Sequence, residues 1–295
     1  MNEIPQILGA LERTPDVRDF PLGTILGAVG APIRPDSFSV DVSWLTRNYQ
    51  GQKPACGPHS GSHLKAILDF STAALQERKT PRYGWIKLKD VNSPVYDGHP
   101  LSEGTDMRSI FKWLQTFGAD DFDPLENDVT LSDAAYADPS AITSDMDANA
   151  ALSKISSYAF GDADFDSICQ QVWQAKGVLL LVKVDEGFWY TKTPTFTTPK
   201  WGHFIVAYGY TPDGILVIDS ADPSDENAFK FVNKEYILPQ FFVESGTAVD
   251  IPPSVHQALT QGQIETAQQI LANMTKILEL DKEWLLQKVA NPSPQ

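Results

Sequence analysis

The stretch QGQKPACGPHSGSHLKA, residues 50–66, decides the fold because it places a cysteine where a helix is expected to begin. Gly51 and Pro54 predict a turn upstream of Cys56. Downstream, apolar residues at helical spacing predict a buried helix that extends to about Gln76. A thiol at a helix N-terminus lies at the positive end of the helix dipole, which lowers its pKa and favours the thiolate. The sequence therefore predicts a nucleophile at Cys56.

A base and an orienting group for this thiolate are found in the second half of the chain. The run WGHFIVAYGY at 201–210 predicts a strand, and the turn signal at 212–214 separates it from a return strand at 215–219. His203 then lies near the start of one strand and Asp219 at the end of its neighbour, so both are expected near the same end of the hairpin. A carboxylate there holds the imidazole in one tautomer and stabilises its protonated form.

Gln50 lies six residues before Cys56 and supplies a further polar group. A side-chain amide at this place is suited to donate a hydrogen bond, together with the backbone N–H of Cys56, to an oxyanion. Such an oxyanion forms when a thiolate attacks a carbonyl. Gln50 is therefore predicted to belong to the same site as the nucleophile.

Together, these residues resemble the papain-like cysteine peptidases. Gln50 and Cys56 have the spacing of that family's oxyanion glutamine and nucleophile, Gly202-His203 resembles its histidine motif, and Asp219 stands where the family usually has asparagine. The resemblance covers about residues 16–251 and implies a papain-like two-lobed α+β fold, with a helical lobe and a β-barrel-like lobe. It also implies cleavage of peptide or related amide bonds in the cleft between the lobes, without a cofactor.

Weaker similarity to the family runs through residues 101–119, where Gly104 corresponds to a glycine that presents its backbone to the peptide substrate. Several positions depart from the family pattern, among them Lys53, which replaces a disulfide cysteine, and Asp222, which replaces a glycine. Gly57 replaces the tryptophan that usually follows the nucleophile, and Ala221 replaces the tryptophan near the orienting residue. The charged Asp219, in place of asparagine, is expected to favour the imidazolium and hence a Cys–His ion pair.

The same residues are compatible with several alternatives. The Cys-Gly-Pro motif at Cys56 and the aspartate also resemble bacteriocin-processing leader peptidases, although the long insert before the histidine strand favours the papain-like layout. A papain-like protein that binds peptides without cutting them and a transglutaminase-like acyl-transfer enzyme are further alternatives. His59 and His63 share a helix face with Cys56, which is compatible with zinc. We expect no metal, because zinc would leave Gln50 and the Gly-His motif unexplained.

Composition limits the partners. The 295 residues carry a net charge of −15, which argues against nucleic acid and anionic membrane surfaces, and no apolar run approaches membrane-spanning length. Cys169 lies among apolar residues at helical spacing and is expected to be a buried, inert thiol. Because residues 1–10 lack the pattern of a signal peptide, we expect a cytoplasmic location, with a virion or a leaderless export route as the open alternatives. The resemblance to the peptidases implies a peptide or protein substrate.

The chain divides by pattern into four segments. The first is too short for a long helical inhibitory prosegment, and the last contains a predicted helix at 263–288 whose apolar seam is suited either to packing on its own chain or to forming a homodimer. The segments are an N-terminal lead (1–40), the helical lobe (41–150), the β lobe (151–252) and a C-terminal helical extension (253–295).

Within the lobes, the pattern predicts helices at 105–117 and 165–175, the second capped by Asp164 and ended by Gly177. It also predicts a buried strand at 178–184 and an acidic, solvated loop at 119–149.

Overall fold

A computed structural model describes residues 9–14, 16, 33–121, 127–222 and 224–250. The helical extension predicted at 253–295 and most of the predicted N-terminal lead lie outside the described residues. The helices are α1 (Cys56–Ala73), α2 (Pro81–Lys89), α3 (Met107–Thr116), α4 (Asp133–Tyr136), α5 (Ser144–Ala150) and α6 (Phe165–Ala175). The strands are β1 (Ala10–Leu11), β2 (Phe38–Ser39), β3 (Thr105–Asp106), β4 (Ile155–Gly161), β5 (Val178–Val184), β6 (Trp201–Thr211), β7 (Gly214–Ile218), β8 (Phe229–Asn233) and β9 (Phe242–Asp250).

A mainly antiparallel sheet forms the second half of the described chain. Its order is β4-β9-β5-β6-β7-β8, and the short β2 also pairs with β6. The β6–β7 hairpin matches the predicted one, with Val206 opposite Ile218 at the open end. This register brings Asp219, the residue after β7, close to the part of β6 that contains His203.

Helices cover both faces of this sheet. Successive residues of a strand point to opposite faces, so Leu179 and Leu181 of β5 join the core under α1, while Val178 and Leu180 join a second core with α6. Burial on both faces explains why β5 is an almost continuous apolar run rather than an alternating one. The long buried helix α1 is thereby fixed against β5 and β6.

Most of the predicted elements agree with the structure, with differences at their ends. The bounds of α6 and β5 match the prediction, and the Asp164 side chain accepts a hydrogen bond from the Ser167 N–H as the cap of α6. Lys176 rather than Gly177 adopts the left-handed conformation after this helix, with φ of 71°. In α3, Asp106 is the N-cap, so the helix begins at Met107.

Two regions differ from the expectation. The segment 119–149, predicted as a solvated loop, contains the short helices α4 and α5, and Tyr136 of α4 is fully buried in a small core with Trp85. The acidic composition of this segment favoured the prediction of a solvated loop. A single buried aromatic residue gives no periodic pattern that would predict the contact. The strand β4 was also not predicted. None of the helices in the described part of the chain is long and apolar enough to cross a membrane.

Candidate active site

Cys56 is the first residue of α1 and is fully buried. The backbone N–H groups of Phe204 and Gly57 act on its sulfur in the direction that lowers the pKa of the thiol. Ser60, one turn along the helix, donates a hydrogen bond of 2.8 Å to the Phe204 carbonyl. The start of α1 is therefore attached to β6 at the residue that follows His203.

The charge state of the Cys56 thiol differs from the prediction made from the helix dipole. Burial raises the pKa of Cys56 to about 12, although the N–H groups of Phe204 and Gly57 act in the opposite direction. The prediction of a lowered pKa is therefore wrong for the buried site. Once water is excluded, the cost of desolvating a thiolate exceeds the help from a helix N-terminus.

The predicted His203–Asp219 contact is present in the structure. His203 Nε2 lies 2.8 Å from Asp219 Oδ1, and both side chains are fully buried. Burial alone would raise the pKa of Asp219, but the hydrogen bond and the charge of His203, with the charge of Lys230, hold this pKa below its usual value. Among the described residues, no group forms a hydrogen bond with His203 Nδ1. This nitrogen is therefore the one available for proton exchange.

Two aromatic rings lie beside the imidazole of His203, a contact that the sequence did not predict. The rings of Phe188 and Trp189 lie 5.8 and 5.7 Å from that of His203, both edge-on. The family that the sequence resembles has a tryptophan near the orienting residue, where this chain has Ala221. Here the rings come from the segment after β5 instead. The Phe188-Trp189 pair was visible in the sequence, but nothing local connects it with β6.

Gln50 connects the turn before α1 with the residue after Asp219. Its backbone N–H donates to the Ser220 carbonyl at 3.0 Å, and its Oε1 accepts a hydrogen bond of 2.8 Å from the Ser220 hydroxyl. Its Nε2 donates to the Lys53 carbonyl at 2.9 Å. Since an amide nitrogen carries two hydrogens, Gln50 retains a second donor.

His59 and His63 bind the backbone of Asn48 rather than forming a metal site with Cys56. His59 Nδ1 lies 2.9 Å from the Asn48 carbonyl oxygen, and the Asn48 N–H donates to His63 Nε2 at 2.9 Å. In the described part of the chain, no group of three or more His, Cys, Asp or Glu side chains is arranged to hold a metal ion. The two imidazoles instead fix the segment that leads into Gln50.

The residues of the N-terminal segment 9–13 lie against this site, and we call this segment the N-terminal cover. The carbonyl of Gly9 accepts a hydrogen bond of 2.8 Å from the Thr105 N–H, and β1 pairs with β3 in parallel. A Cβ on Gly104 would lie 1.1 Å from that carbonyl oxygen, so only glycine allows this approach. The backbone of Gly9 also lies against Pro54, two residues before Cys56.

Charged groups anchor the end of the N-terminal cover. Arg13 donates its backbone N–H to Glu244 Oε1 at 3.0 Å, and its Nε lies 3.2 Å from Oε2 of the same carboxylate. Its guanidinium also lies 3.9 Å from the centre of the Phe160 ring. Glu12 pairs with Lys183 on β5 at 2.6 Å. The cover is therefore held by both backbone and side-chain contacts.

By sequence, no protein-family model and no curated protein matches the chain. Solved structures do match its fold. Xylellain, a cysteine protease from Xylella fastidiosa, is similar with a TM-score of 0.65 at 14% identity, over 85% of this chain and 98% of that one. Procathepsin B from Trypanosoma congolense is similar with a TM-score of 0.59 at 9% identity, over 83% and 86%. Bromelain from Ananas comosus, solved with the inhibitor E64, has a TM-score of 0.50 at 11% identity, over 73% and 99%.

The described elements are arranged as the fold similarity to these structures indicates. The helix α1 lies against the sheet with Cys56 at its start, and the β6–β7 hairpin holds His203 beside Asp219. The matching structures are cysteine proteases, and at these identities the likeness concerns the fold. The chain thus has the papain-like α+β fold that its sequence predicted.

Proposed function

We propose that this protein is a cysteine peptidase that cleaves peptide or related amide bonds. The observation that carries the proposal is a set of buried contacts that links residues from separate elements. Gln50 binds Ser220, the neighbour of Asp219, and Asp219 binds His203. The residue after His203 accepts a hydrogen bond from Ser60, one turn along the helix that Cys56 begins. A nucleophile, a base, an orienting carboxylate and an oxyanion donor are the groups that acyl transfer requires.

In the proposed reaction, Asp219 holds His203 Nε2, so that Nδ1 accepts the proton of the Cys56 thiol. The sulfur attacks the substrate carbonyl, and the second Gln50 N–H and the Cys56 backbone N–H bind the resulting oxyanion. The imidazolium then gives its proton to the leaving amine, which breaks the C–N bond and leaves an acyl-enzyme. Water, deprotonated by His203, hydrolyses the thioester and restores the thiol.

The proposal includes a closed state of the enzyme. The N-terminal cover occupies the surface of Gly104, where the sequence resemblance implies that the substrate backbone binds. The raised pKa of Cys56 belongs to this covered site, in which the thiol is protonated and shielded from water. We therefore expect catalysis only after the cover has left.

Labelling with E64, the inhibitor bound in the bromelain structure, tests the proposed nucleophile. Because the cover must open first, we expect slow labelling of the wild type that ends at one adduct per chain in intact-mass spectra, and none with Cys56→Ala or His203→Ala. The other buried thiol provides a matched control, because Cys169→Ala should label like the wild type. An adduct that persists in Cys56→Ala contradicts the assignment of the nucleophile.

Replacing Gly9 with alanine should open the site. The residue has φ of +66°, and a Cβ there would lie 2.1 Å from the backbone oxygen of Pro54, a contact that no rotamer change relieves. A strained left-handed residue alone costs about 1–3 kcal/mol, so we expect E64 to label Cys56 roughly 10- to 100-fold faster. Intact-mass spectrometry of samples quenched at successive times measures this rate.

The matched control for this change is Glu12→Ala in the same segment. It removes only the exposed ion pair with Lys183, which is worth at most about 1 kcal/mol, so labelling should accelerate by no more than a few-fold. Equal rates in Gly9→Ala and the wild type would show that the cover does not limit access to Cys56.

A peptide-binding protein without catalytic activity is the second candidate. The observation that favours it is the fully buried thiol, whose pKa of about 12 leaves it protonated at neutral pH. The Gly9→Ala variant separates the two candidates. If its exposed Cys56 reacts no faster than a free thiol, the Cys–His pair is not activated and the binding role stands.

A further inference from the structure

A buried lysine lies on the far side of Asp219 from His203. Lys230, on β8, is fully buried, and its Nζ lies 3.6 Å from Asp219 Oδ2 and 2.7 Å from Asp222 Oδ2. It also donates to the Thr191 carbonyl at 3.0 Å and lies 4.9 Å from the centre of the Phe188 ring. Asp219 Oδ2 accepts no hydrogen bond from the described residues, so this ammonium is the group that faces it.

Asp222 holds the lysine in this position. Its Oδ2 also accepts a hydrogen bond of 2.8 Å from the Tyr190 N–H, and its Oδ1 accepts one of 2.9 Å from the Ser224 N–H. Taking an ammonium out of water costs several kcal/mol unless it is well paired. Packing alone does not explain a lysine here, because an apolar side chain beside Phe188 would avoid that cost.

We propose that Lys230 is a positioning residue for the proposed peptidase, whose ammonium offsets the charge of Asp219 so that this carboxylate orients His203 much as a neutral amide would. The inference rests on the proposed function, since it concerns the same His203–Asp219 pair. It explains two departures of this chain together. A family position that usually holds asparagine carries Asp219, and Asp222, which binds the lysine, follows closely after it.

The direction of the electrostatic effect follows from the sign of each charge. Asp219 stabilises the imidazolium of His203, and the positive charge behind Asp219 weakens that stabilisation. The other titratable groups around the pair are Cys56 and His63 on α1 and Asp222. The cation Arg47 binds Asp225 and the Asp222 carbonyl instead. Removing the lysine charge should therefore make His203 easier to protonate.

The test is the titration of His203 in the full chain, followed by NMR with labelled histidine and assigned with His203→Ala. We expect Lys230→Met to move the midpoint up and Asp219→Asn to move it down. The double variant Asp219→Asn/Lys230→Met should return close to the wild type, because both charges are gone. The alkaline limb of peptide hydrolysis should shift in the same directions.

Lys200→Met is the matched control. Lys200 pairs with Glu186 at 2.6 Å on the surface, so solvent screens its charge and the His203 midpoint should stay unchanged. Should Lys230→Met fail to fold, Asp222→Asn/Lys230→Met removes both members of the buried pair and should give an upward shift that is smaller, because the negative charge of Asp222 is lost with the positive charge of Lys230. Failure of both variants to fold would make Lys230 a structural residue and overturn the proposal.

An unmoved His203 midpoint in a folded Lys230→Met variant also overturns the proposal. This outcome is distinct from failure of the proposed function, because one is observed at the imidazole and the other as labelling of the thiol. If E64 labels neither the wild type nor the Gly9→Ala variant, the proposed peptidase function is wrong. If E64 labels the enzyme but the His203 midpoint does not move in Lys230→Met, only the proposed role of Lys230 is wrong.

Discussion

Replacing Gln50 with alanine should lower kcat for peptide hydrolysis by about 100- to 1,000-fold and leave KM nearly unchanged. The oxyanion exists only after attack, so a donor to it stabilises the transition state rather than the bound substrate. In the structure, one N–H of the amide is bound by the Lys53 carbonyl, while the Ser220 hydroxyl holds Oε1. The side chain is therefore fixed with a second donor to spare. Steady-state kinetics on a peptide substrate, with the Gly9→Ala change in every variant, measures the effect.

Gln52 provides a matched control for this experiment. It lies in the same turn, but its side chain is exposed, so Gln52→Ala should keep the kcat and KM of the parent. A Gln50→Ala variant that changes KM alone would place the amide in substrate binding. Loss of E64 labelling in that variant would instead indicate that the turn before Cys56 had lost its structure.

Acid should destabilise the fold strongly, well above the pH at which carboxylates titrate. Burial lowers the pKa of both His59 and His63 from 6.5 to about 3. Below about pH 6.5 the unfolded chain therefore binds protons at these positions that the folded chain does not, and stability is lost as the pH falls towards 3. At about 1.4 kcal/mol per pH unit for each group, the free energy of unfolding should fall by about 4 kcal/mol between pH 7.5 and pH 5. Urea unfolding at a series of pH values measures this slope.

Substitution of one of these two histidines isolates its share of the slope. His63→Gln retains an acceptor for the Asn48 N–H but cannot be protonated, and should remove about half of the loss. A slope that stays the same in His63→Gln would mean that His63 is already charged, or accessible to water, in the folded protein.

The parts of the site that the sequence predicted are those encoded locally. A hairpin of known register brings its two ends together, so the strand pattern and the turn at 212–214 were enough to place His203 near Asp219. The apolar spacing after Cys56 was enough to place the thiol at the start of α1. In each instance, the information lies within one supersecondary unit.

The features that the sequence did not predict depend on contacts between distant segments. Nothing near residue 9 indicates that its carbonyl will lie against Gly104, and nothing near Phe188 indicates that its ring will face His203. Lys230 was not singled out because it lies in a strand with ordinary alternation. The pKa of Cys56 was predicted in the wrong direction because it depends on how much water the assembled fold excludes.

The N-terminal cover belongs to the same polypeptide as the site that it occupies, so its binding is unimolecular. A tethered segment acts at an effective concentration that is commonly on the order of millimolar, and dilution of the protein does not change it. A free peptide with the sequence of residues 9–13 would have to approach that concentration to compete. A single cut between residues 14 and 33 would turn the segment into an ordinary dissociating ligand. Activation by such a cut would be irreversible at cellular protein concentrations, whereas spontaneous opening of the intact chain would reverse with a rate independent of concentration.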